Sequence, residues 1–280
     1  MIEQTEIAVI IPTYNRYKVT KAMLELLAIQ TNQNFTTIIV DSGSVDRTKD
    51  LAADNDCIIL DVGSEVWWTG AIEHGVNYVL KHKFKWILIL NDDIEFGPNF
   101  IEYMLQTSKD NPNAINIPSQ KEMSGSIFNG FKLSSFFKKR QRVMVGEYCK
   151  SGYSIDVGNG CALIFPIHII EKVWLFENQK CPHYGGDVYL FLTAKNAGFD
   201  IKVHPNILIS QTSATSPLKY ISISTIFTSK GSIFHFQTHI TLGLKIYGSM
   251  FNFCTRGVIY NYTYIKRVTS TICLLWFKKE

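Results

Sequence analysis

Lys85-Trp86-Ile87-Leu88-Ile89-Leu90-Asn91-Asp92-Asp93 decides the reading of this chain. An unbroken apolar run that turns abruptly acidic reads as a strand buried on both faces, ending at a surface. A strand of that kind needs helices on both sides, and the flanking sequence supplies them. Upstream, Thr69–Lys83 places Ile72, Val76, Val79 and Leu80 on one helical face. Before it come an apolar strand at Cys57–Leu60 and a helix over Asp46–Asp54, opened by Ser44 or Asp46 as cap. Thr37–Val40 is a strand ended by the turn Asp41-Ser42-Gly43-Ser44. Lys21–Gln30 carries a helical stripe through Met23, Leu26 and Leu27, and Ile7–Ile11 is a strand stopped by Pro12.

Downstream, the pattern predicts a helix over Pro98–Lys109 and a strand over Ala114–Ile117. Ser119–Tyr153 is irregular and basic, with Lys138-Lys139-Arg140 and Arg142 near Phe136 and Phe137, and reads as an insertion or mobile loop over the rim. Order returns with Gly158-Asn159-Gly160 and a strand at Cys161–Phe165. Helices follow at Ile167–Val173 and Asp187–Ala197, the latter ended by Gly198, and a strand at Ile201–His204. Strand–helix alternation of this kind means βαβ units and a mostly parallel sheet. Ligands then sit beyond the carboxyl ends of the strands. Thr13-Tyr14-Asn15, Asp41-Ser42 and Asn91-Asp92-Asp93 are therefore expected on one rim.

Composition agrees with a folded α/β chain. With 280 residues, 46% hydrophobic and 19% charged, it is neither disordered nor too small to build a core. The net charge of +4 is unevenly spread: residues 219–280 hold eight basic residues and one acid, so the tail is +7 and the body −3. That asymmetry points to an anionic surface, lipid or nucleic acid, or simply to a solvated basic face. The cysteines, at 57, 149, 161, 181, 254 and 273, never reach CxxC spacing, and Ile7–Ile11 follows two glutamates, unlike a secretory leader. A cytoplasmic chain with reduced thiols is the expectation. No run approaches the ~18–20 apolar residues of a spanning helix, so membrane contact would be peripheral.

Several residues carry candidate chemistry. Two adjacent carboxylates repel, and a divalent cation removes that cost most simply, so Asp92 and Asp93 suggest Mg²⁺ or Mn²⁺. Asp41 suits a base N–H or a ribose hydroxyl, or merely a turn. Tyr14 suits stacking on a base, or is a surface aromatic. Asp187 is either an N-cap or a general base for an acceptor hydroxyl. Trp67-Trp68 offers a wall for a sugar ring or a core contact. GxxxxGK[ST], GxGxxG, GxSxG and HExxH are all absent, and His235 and His239 read as an ordinary helix face.

Taken together, the chain resembles the family 2 glycosyltransferases of the GT-A fold over about residues 5–205. Five motifs in order carry the resemblance: Ile10-Ile11-Pro12-Thr13-Tyr14-Asn15-Arg16, Val40-Asp41-Ser42-Gly43-Ser44-Val45-Asp46, Trp67-Trp68-Thr69-Gly70-Ala71 with Gly75-Val76, Leu88-Ile89-Leu90-Asn91-Asp92-Asp93, and His183-Tyr184-Gly185-Gly186-Asp187 up to Gly198-Phe199. The third is similar to rhamnosyltransferase-like members. The resemblance implies a GT-A domain over 1–215, with a nucleotide-binding half (1–97) and an acceptor half (98–215), and a basic, mainly helical extension over 216–280.

Carried over, Pro12, Thr13, Tyr14, Asn15, Arg16, Asp41, Ser42, Trp68, Gly70, Asn91 and Asp92 would surround a nucleotide-sugar. Asp93 would hold the metal on the diphosphate, and Asp187 would be the base for an inverting transfer. The implied donor is a UDP-, dTDP- or GDP-sugar, and the implied acceptor a growing, lipid-linked surface glycan of bacterial type, such as an O-antigen or capsule. The extension would then lie on the inner face of the membrane rather than on nucleic acid, or form a homo-oligomer contact through Ile221–Phe227 and Val268–Phe277. The alternatives are a non-catalytic nucleotide-sugar or glycan-binding module and a sugar-1-phosphate nucleotidyltransferase. Three departures stand out. Gly186 replaces the usual Glu before the catalytic Asp, Thr193 or Lys195 stands near the usual Arg, and no His follows the closing strand, where Gln211 stands instead with His204 early.

Overall fold

The computed structural model describes residues 6–277 except 65, 123, 135–137, 139, 145–151, 213–222, 231 and 234. The expected alternation is present: β1 (Ile7–Thr13), α1 (Tyr17–Ala28), β2 (Phe35–Asp41), a 3₁₀ turn at Arg47–Asp50 leading into α2 (Leu51–Asp54), β3 (Cys57–Asp61), α3 (Trp68–Val79) and β4 (Trp86–Leu90). The second half holds β5 (Ile94–Glu95), α4 (Phe100–Asp110), β6 (Ala114–Lys121), β7 (Ile127–Phe128), β8 (Phe131–Leu133), β9 (Arg140–Arg142), β10 (Tyr153–Ile155), β11 (Ala162–Pro166), α5 (Ile167–Lys172), α6 (Gly186–Asn196) and β12 (Asp200–Gln211). The tail forms α7 (Ile223–Thr228), α8 (Phe236–Tyr247), α9 (Met250–Thr255) and α10 (Val258–Phe277).

The main sheet runs β10-β12-β6-β11-β4-β1-β2-β3. β1, β2, β3 and β4 are parallel, and β11 is inserted antiparallel between β4 and β6. Strand periodicity of two sorts the core onto two faces. Ala8, Ile10, Ile38, Val40, Ile87 and Ile89 meet α3 and the later helices, while Ile7, Val9, Ile11, Ile39, Leu88 and Leu90 meet α1 and α4. All of these are fully buried. Each Val, Ile and Leu among them contributes on the order of 1.5–3 kcal/mol relative to exposure.

Three local expectations need correction. Pro12 does not stop the first strand, which continues to Thr13. Pairing with β4 ends at Ile10, so among the described residues Pro12 pairs with β2 and no longer with β4, and a missing N–H is tolerated there. The last strand of the body extends well beyond His204, to Gln211, with a register shift between His204 and Leu208. Ser119–Tyr153 is less irregular than its composition suggests: β6 continues through Lys121, and β8 and β9 form a separate two-stranded sheet. Phe136, Phe137 and Lys139 lie outside the described residues.

The C-terminal segment leans on the body through α8. Leu242 joins the main core, and Thr238 Oγ1 donates to the Lys180 carbonyl at 2.8 Å. His239 is no solvent-facing helix residue: it is buried and stacks on Tyr264 and Tyr260, with ring centroids 3.8 and 4.7 Å away. Among the described residues, no helix is long and apolar enough to cross a membrane.

Candidate active site

The carboxyl ends of β1, β2 and β4 form the rim, and hydrogen bonds stitch the loops leaving them together. Ser42 N donates to the Thr13 carbonyl at 3.0 Å. Asn15 takes up a positive φ of 52°, a region Asn tolerates better than most residues. Its N–H donates to Ser44 Oγ at 2.7 Å, and its Oδ1 accepts from Val45 N at 2.8 Å. Gly43, at φ +77°, has no room for a side chain, since a Cβ there would come within 2.6 Å of Ser64 N. Asp41 is wholly buried, and its carboxylate accepts from the Ser44 N–H at 3.2 Å and from the Ser44 hydroxyl. In this arrangement it shapes the turn around Ser42. Tyr14 is 54% exposed beside that turn.

At the end of β4, the acidic pair has a structural explanation that its sequence did not suggest. Asp92 Oδ2 accepts from Thr20 Oγ1 at 3.0 Å and Thr13 Oγ1 at 3.2 Å, tying β4 to β1 and α1. Arg16 bridges both acids, with nitrogens 3.2 Å from Asp92 Oδ1 and 3.3 Å from Asp93 Oδ2. Burial raises the Asp92 carboxyl above its ordinary value, and the Arg16 charge opposes that rise. Both aspartates are nearly inaccessible, at 4% and 6% exposure. Asn91 turns the other way: its Oδ1 accepts from Trp68 Nε1 at 2.9 Å, and its N–H donates to the Cys161 carbonyl at 2.8 Å.

That last bond links the acidic pair to Asp187. β11 runs antiparallel to β4, so the loop Gly158-Asn159-Gly160 entering it returns to the same rim. Gly160 packs directly on Asp187, where a Cβ would meet the Asp187 Cβ at 2.6 Å. Asp187 lies in the first turn of α6, with its Oδ1 accepting from Val188 N at 2.8 Å. It is not the N-cap, a place taken by Gly185 in the left-handed region at φ +86°. Burial pushes the Asp187 carboxyl above the usual carboxylate range, against the pull of the Val188 and Gly160 N–H groups and the Arg140 charge.

The structure also accounts for the departures from the expected motifs. A Cβ on Gly186 would lie 2.1 Å from Thr69 Oγ1, so a glutamate has no space there. Thr69 fills that place to hold the preceding loop, donating from Oγ1 to the Cys181 carbonyl at 2.6 Å and from N–H to the Pro182 carbonyl at 3.0 Å. Lys195 Nζ pairs with Asp156 at 2.5 Å. His204 is buried, with Nε2 2.9 Å from Asn116 Oδ1, whereas Thr212 N donates to the Asp93 carbonyl at 2.9 Å, bringing the end of β12 to the acidic pair. Gln211 turns its amide to Gln120 Nε2 at 3.3 Å, and Gln120 in turn accepts from Asn159 Nδ2. Thr69 and Arg140 lay in stretches the sequence singled out, but their contacts here were not expected, and Gln120 was not singled out. A Cβ on Gly70, in the first turn of α3, would lie 3.1 Å from Val66 Cγ1, and the ring centroids of Trp67 and His183 are 5.4 Å apart.

Comparison with known proteins agrees with this geometry. The family model for glycosyl transferase family 2 matches residues 8–173, more than half of the chain. An uncharacterized glycosyltransferase of Rickettsia typhi is 26% identical over 212 residues, covering 70% of this chain; the chain spans 62% of that relative's length. Among solved structures, S. aureus TarS in complex with UDP-GlcNAc superposes with a TM-score of 0.59 at 15% identity, over 88% of this chain and 67% of that one. GalNAc-T7 with UDP, GalNAc and Mn²⁺ superposes with a TM-score of 0.61 at 11% identity, over 77% and 45%. At these identities the structural likeness speaks for the fold. The chain belongs to glycosyl transferase family 2, and its fold is that of the GT-A glycosyltransferases.

Proposed function

We propose that the protein transfers a sugar from a nucleotide-diphosphate donor, with inversion, to a hydroxyl of a growing lipid-linked surface glycan. One observation carries the reading: Asp93 and Asp187, ninety-four positions apart, are brought to one rim through the Asn91–Cys161 hydrogen bond and the Gly160–Asp187 contact. The loops around Tyr14, Asn15 and Ser42 would hold the nucleoside. The acceptor hydroxyl attacks the anomeric carbon, its proton passes to the Asp187 carboxylate, and the bond to the diphosphate oxygen breaks with its electron pair staying on the leaving group. Raised by burial, the Asp187 carboxylate is a stronger base than an exposed one. A single base above the sheet suits inversion.

The donor set fits a hard divalent cation, Mg²⁺ or Mn²⁺: two adjacent carboxylates at a strand end, already compensated by one positive group. Asp93 would hold it, and a bound ion would neutralise charge developing on the leaving diphosphate. Among the described residues, no group of three or more His, Cys, Asp or Glu side chains forms a metal cluster. Phosphate and water oxygens would therefore complete the coordination. GalNAc-T7 was solved with UDP and Mn²⁺, and TarS with UDP-GlcNAc, which supports a nucleotide-sugar donor. Peripheral attachment to an anionic membrane is supported by exposed Phe251, Val258, Tyr262 and Ile265 alongside Arg256 and Lys266 in the tail. Release from membranes by high salt would follow, since each such cation is worth about 1 kcal/mol at that surface.

Thermal unfolding against UDP, dTDP and GDP, with and without Mn²⁺, tests the donor reading. A ligand at a hundred times its Kd adds about 2.7 kcal/mol. The expected result is a shift with one nucleotide that requires both Mn²⁺ and Asp93, and that is lost in Asp93→Ala. No shift with any nucleotide would overturn the reading.

A further inference from the structure

A row of side-chain amides joins the strand end beside Asp93 to the loop that packs on Asp187, and the strand order builds it. β6 has β11 on one side and β12 on the other. β11 runs antiparallel to β6, so the Gly158-Asn159-Gly160 loop entering β11 arrives beside the end of β6. β12 runs parallel, so its own end arrives there from the other side. Gln120 stands at that place and is 6% exposed, a burial uncommon for glutamine. A buried amide is costly without partners, and Gln120 has one on each side. Its Oε1 accepts from Asn159 Nδ2, and its Nε2 donates to Gln211 Oε1 at 3.3 Å. The residue after Gln211 is Thr212, whose N–H donates to the Asp93 carbonyl at 2.9 Å.

Asn159 is held at both ends of its amide, since its Oδ1 accepts from Cys161 N at 2.9 Å. Gly160 lies between these two residues, and its N–H donates to the Asp187 carboxylate. A Cβ at 160 would collide with the Asp187 side chain, so the loop and the acid fit closely. A base must be ionised to accept a proton, and hydrogen bonds to the carboxylate favour that form against burial. The other groups that face Asp187 are the N–H groups of Asp187 and Val188 in α6, Arg140 in β9, Cys161 before β11 and Cys181 ahead of α6. Burial pushes both thiols up to about 12, so they stay neutral. Among these groups the N–H donors and Arg140 therefore favour the carboxylate.

We propose that Gln120 is a positioning residue of the transferase: through Asn159 it sets the Gly160 N–H on the Asp187 carboxylate, and through Gln211 it fixes that loop to the strand end beside Asp93. Its role in transfer rests on the reading of Asp187 as the base, whereas its hold on the loop does not. Gln120 lies outside all five sequence motifs and acts on Asp187 through the loop.

Gln120→Leu removes both hydrogen bonds at similar size. Its kcat is expected to fall roughly ten- to a hundredfold, with the donor KM and the nucleotide-dependent melting shift close to wild type. With the Gly160 N–H loosened, the carboxylate is favoured less, so the acid limb of kcat/KM moves to higher pH. The same change can be read without turnover, from unfolding scans across pH. The stability gained at pH 7 by Asp187→Asn should be larger in the Gln120→Leu background than in wild type. The sign follows because the native state then keeps its extra proton to a higher pH, so stability falls further as pH rises. Asn159→Ala should repeat both shifts from the partly exposed end of the row, and it covers the case in which Gln120→Leu does not fold. Gln211→Leu leaves the Asn159 bond in place and should move the limb less. An unmoved limb and an unchanged gain from Asp187→Asn, in Gln120→Leu and Asn159→Ala alike, overturn the inference even where kcat drops. Retained turnover in Asp187→Asn would instead sink the base reading, and the unfolding scans would still decide whether Gln120 holds the loop on Asp187.

Discussion

Gly186→Ala tests how the loop before Asp187 is held. The added Cβ would lie 2.1 Å from Thr69 Oγ1, against a normal contact well above 3 Å, so the threonine must turn away. Doing so breaks its 2.6 Å hydrogen bond to the Cys181 carbonyl. Loss of that bond with its acceptor left buried costs about 1–3 kcal/mol. Crowding at a packed site adds on the order of 1–3 kcal/mol. Helix propensity returns up to about 1 kcal/mol, less at a first-turn position. The expected net loss is about 2–4 kcal/mol, or roughly 3–7 °C in Tm for a chain of this size.

A double-mutant cycle with Thr69→Ala makes the argument specific. Thr69→Ala alone loses the hydrogen bond, at about 1–2 kcal/mol. With Oγ1 gone, the next atoms facing a Cβ at 186 are Thr69 Cβ at 3.3 Å and the Cys181 carbonyl oxygen at 3.4 Å, both tolerable. The double variant should therefore be about as stable as Thr69→Ala, a coupling equal to the Gly186→Ala loss of about 2–4 kcal/mol. Urea or thermal unfolding of the four proteins measures it. A Gly186→Ala protein within about 0.5 kcal/mol of wild type, or simple additivity in the cycle, would refute the reasoning.

Further expectations follow from the acids. Asp187→Asn should lower kcat by roughly 10²–10⁴ with little change in donor-induced melting shift; retained turnover would remove it as the base. Because burial raises its pKa, the acid limb of kcat/KM should fall above pH 3.8, the ordinary carboxylate value, and a limb at or below that value would contradict its environment. The stability sign is the reverse of a salt-bridged carboxylate: between the unfolded and the raised folded pKa the native state binds more protons, so stability falls as pH rises through that window. Asp187→Asn should consequently melt above wild type at pH 7, with the advantage shrinking toward acid pH, and unfolding scans across pH check this. Arg16→Ala leaves Asp92 and Asp93 without the cation they share and should cost about 1–3 kcal/mol, discounted because Arg16 is partly exposed. Mn²⁺ should raise the Tm of that variant more than that of wild type; equal shifts would mean that the ion and the guanidinium do not compete for one place.

The sequence by itself determined the α/β class, because a buried parallel strand such as Trp86–Leu90 must be apolar at every position and must end in polar residues where it reaches the rim. It also determined which residues stand at that rim, since Thr13, Asp41 and Asn91 each follow a run whose period cannot be mistaken. Only the tertiary structure decided what those residues touch. Asp92 is a buried hub for Thr13, Thr20 and Arg16, and no spacing rule predicts a contact across seventy-two positions. The irregular length between Lys121 and Tyr153 concealed a small sheet because its strands are only two or three residues long, too short for a period to register. Gly186 looked like a missing carboxylate, whereas the fold shows a place already filled by Thr69 from another helix.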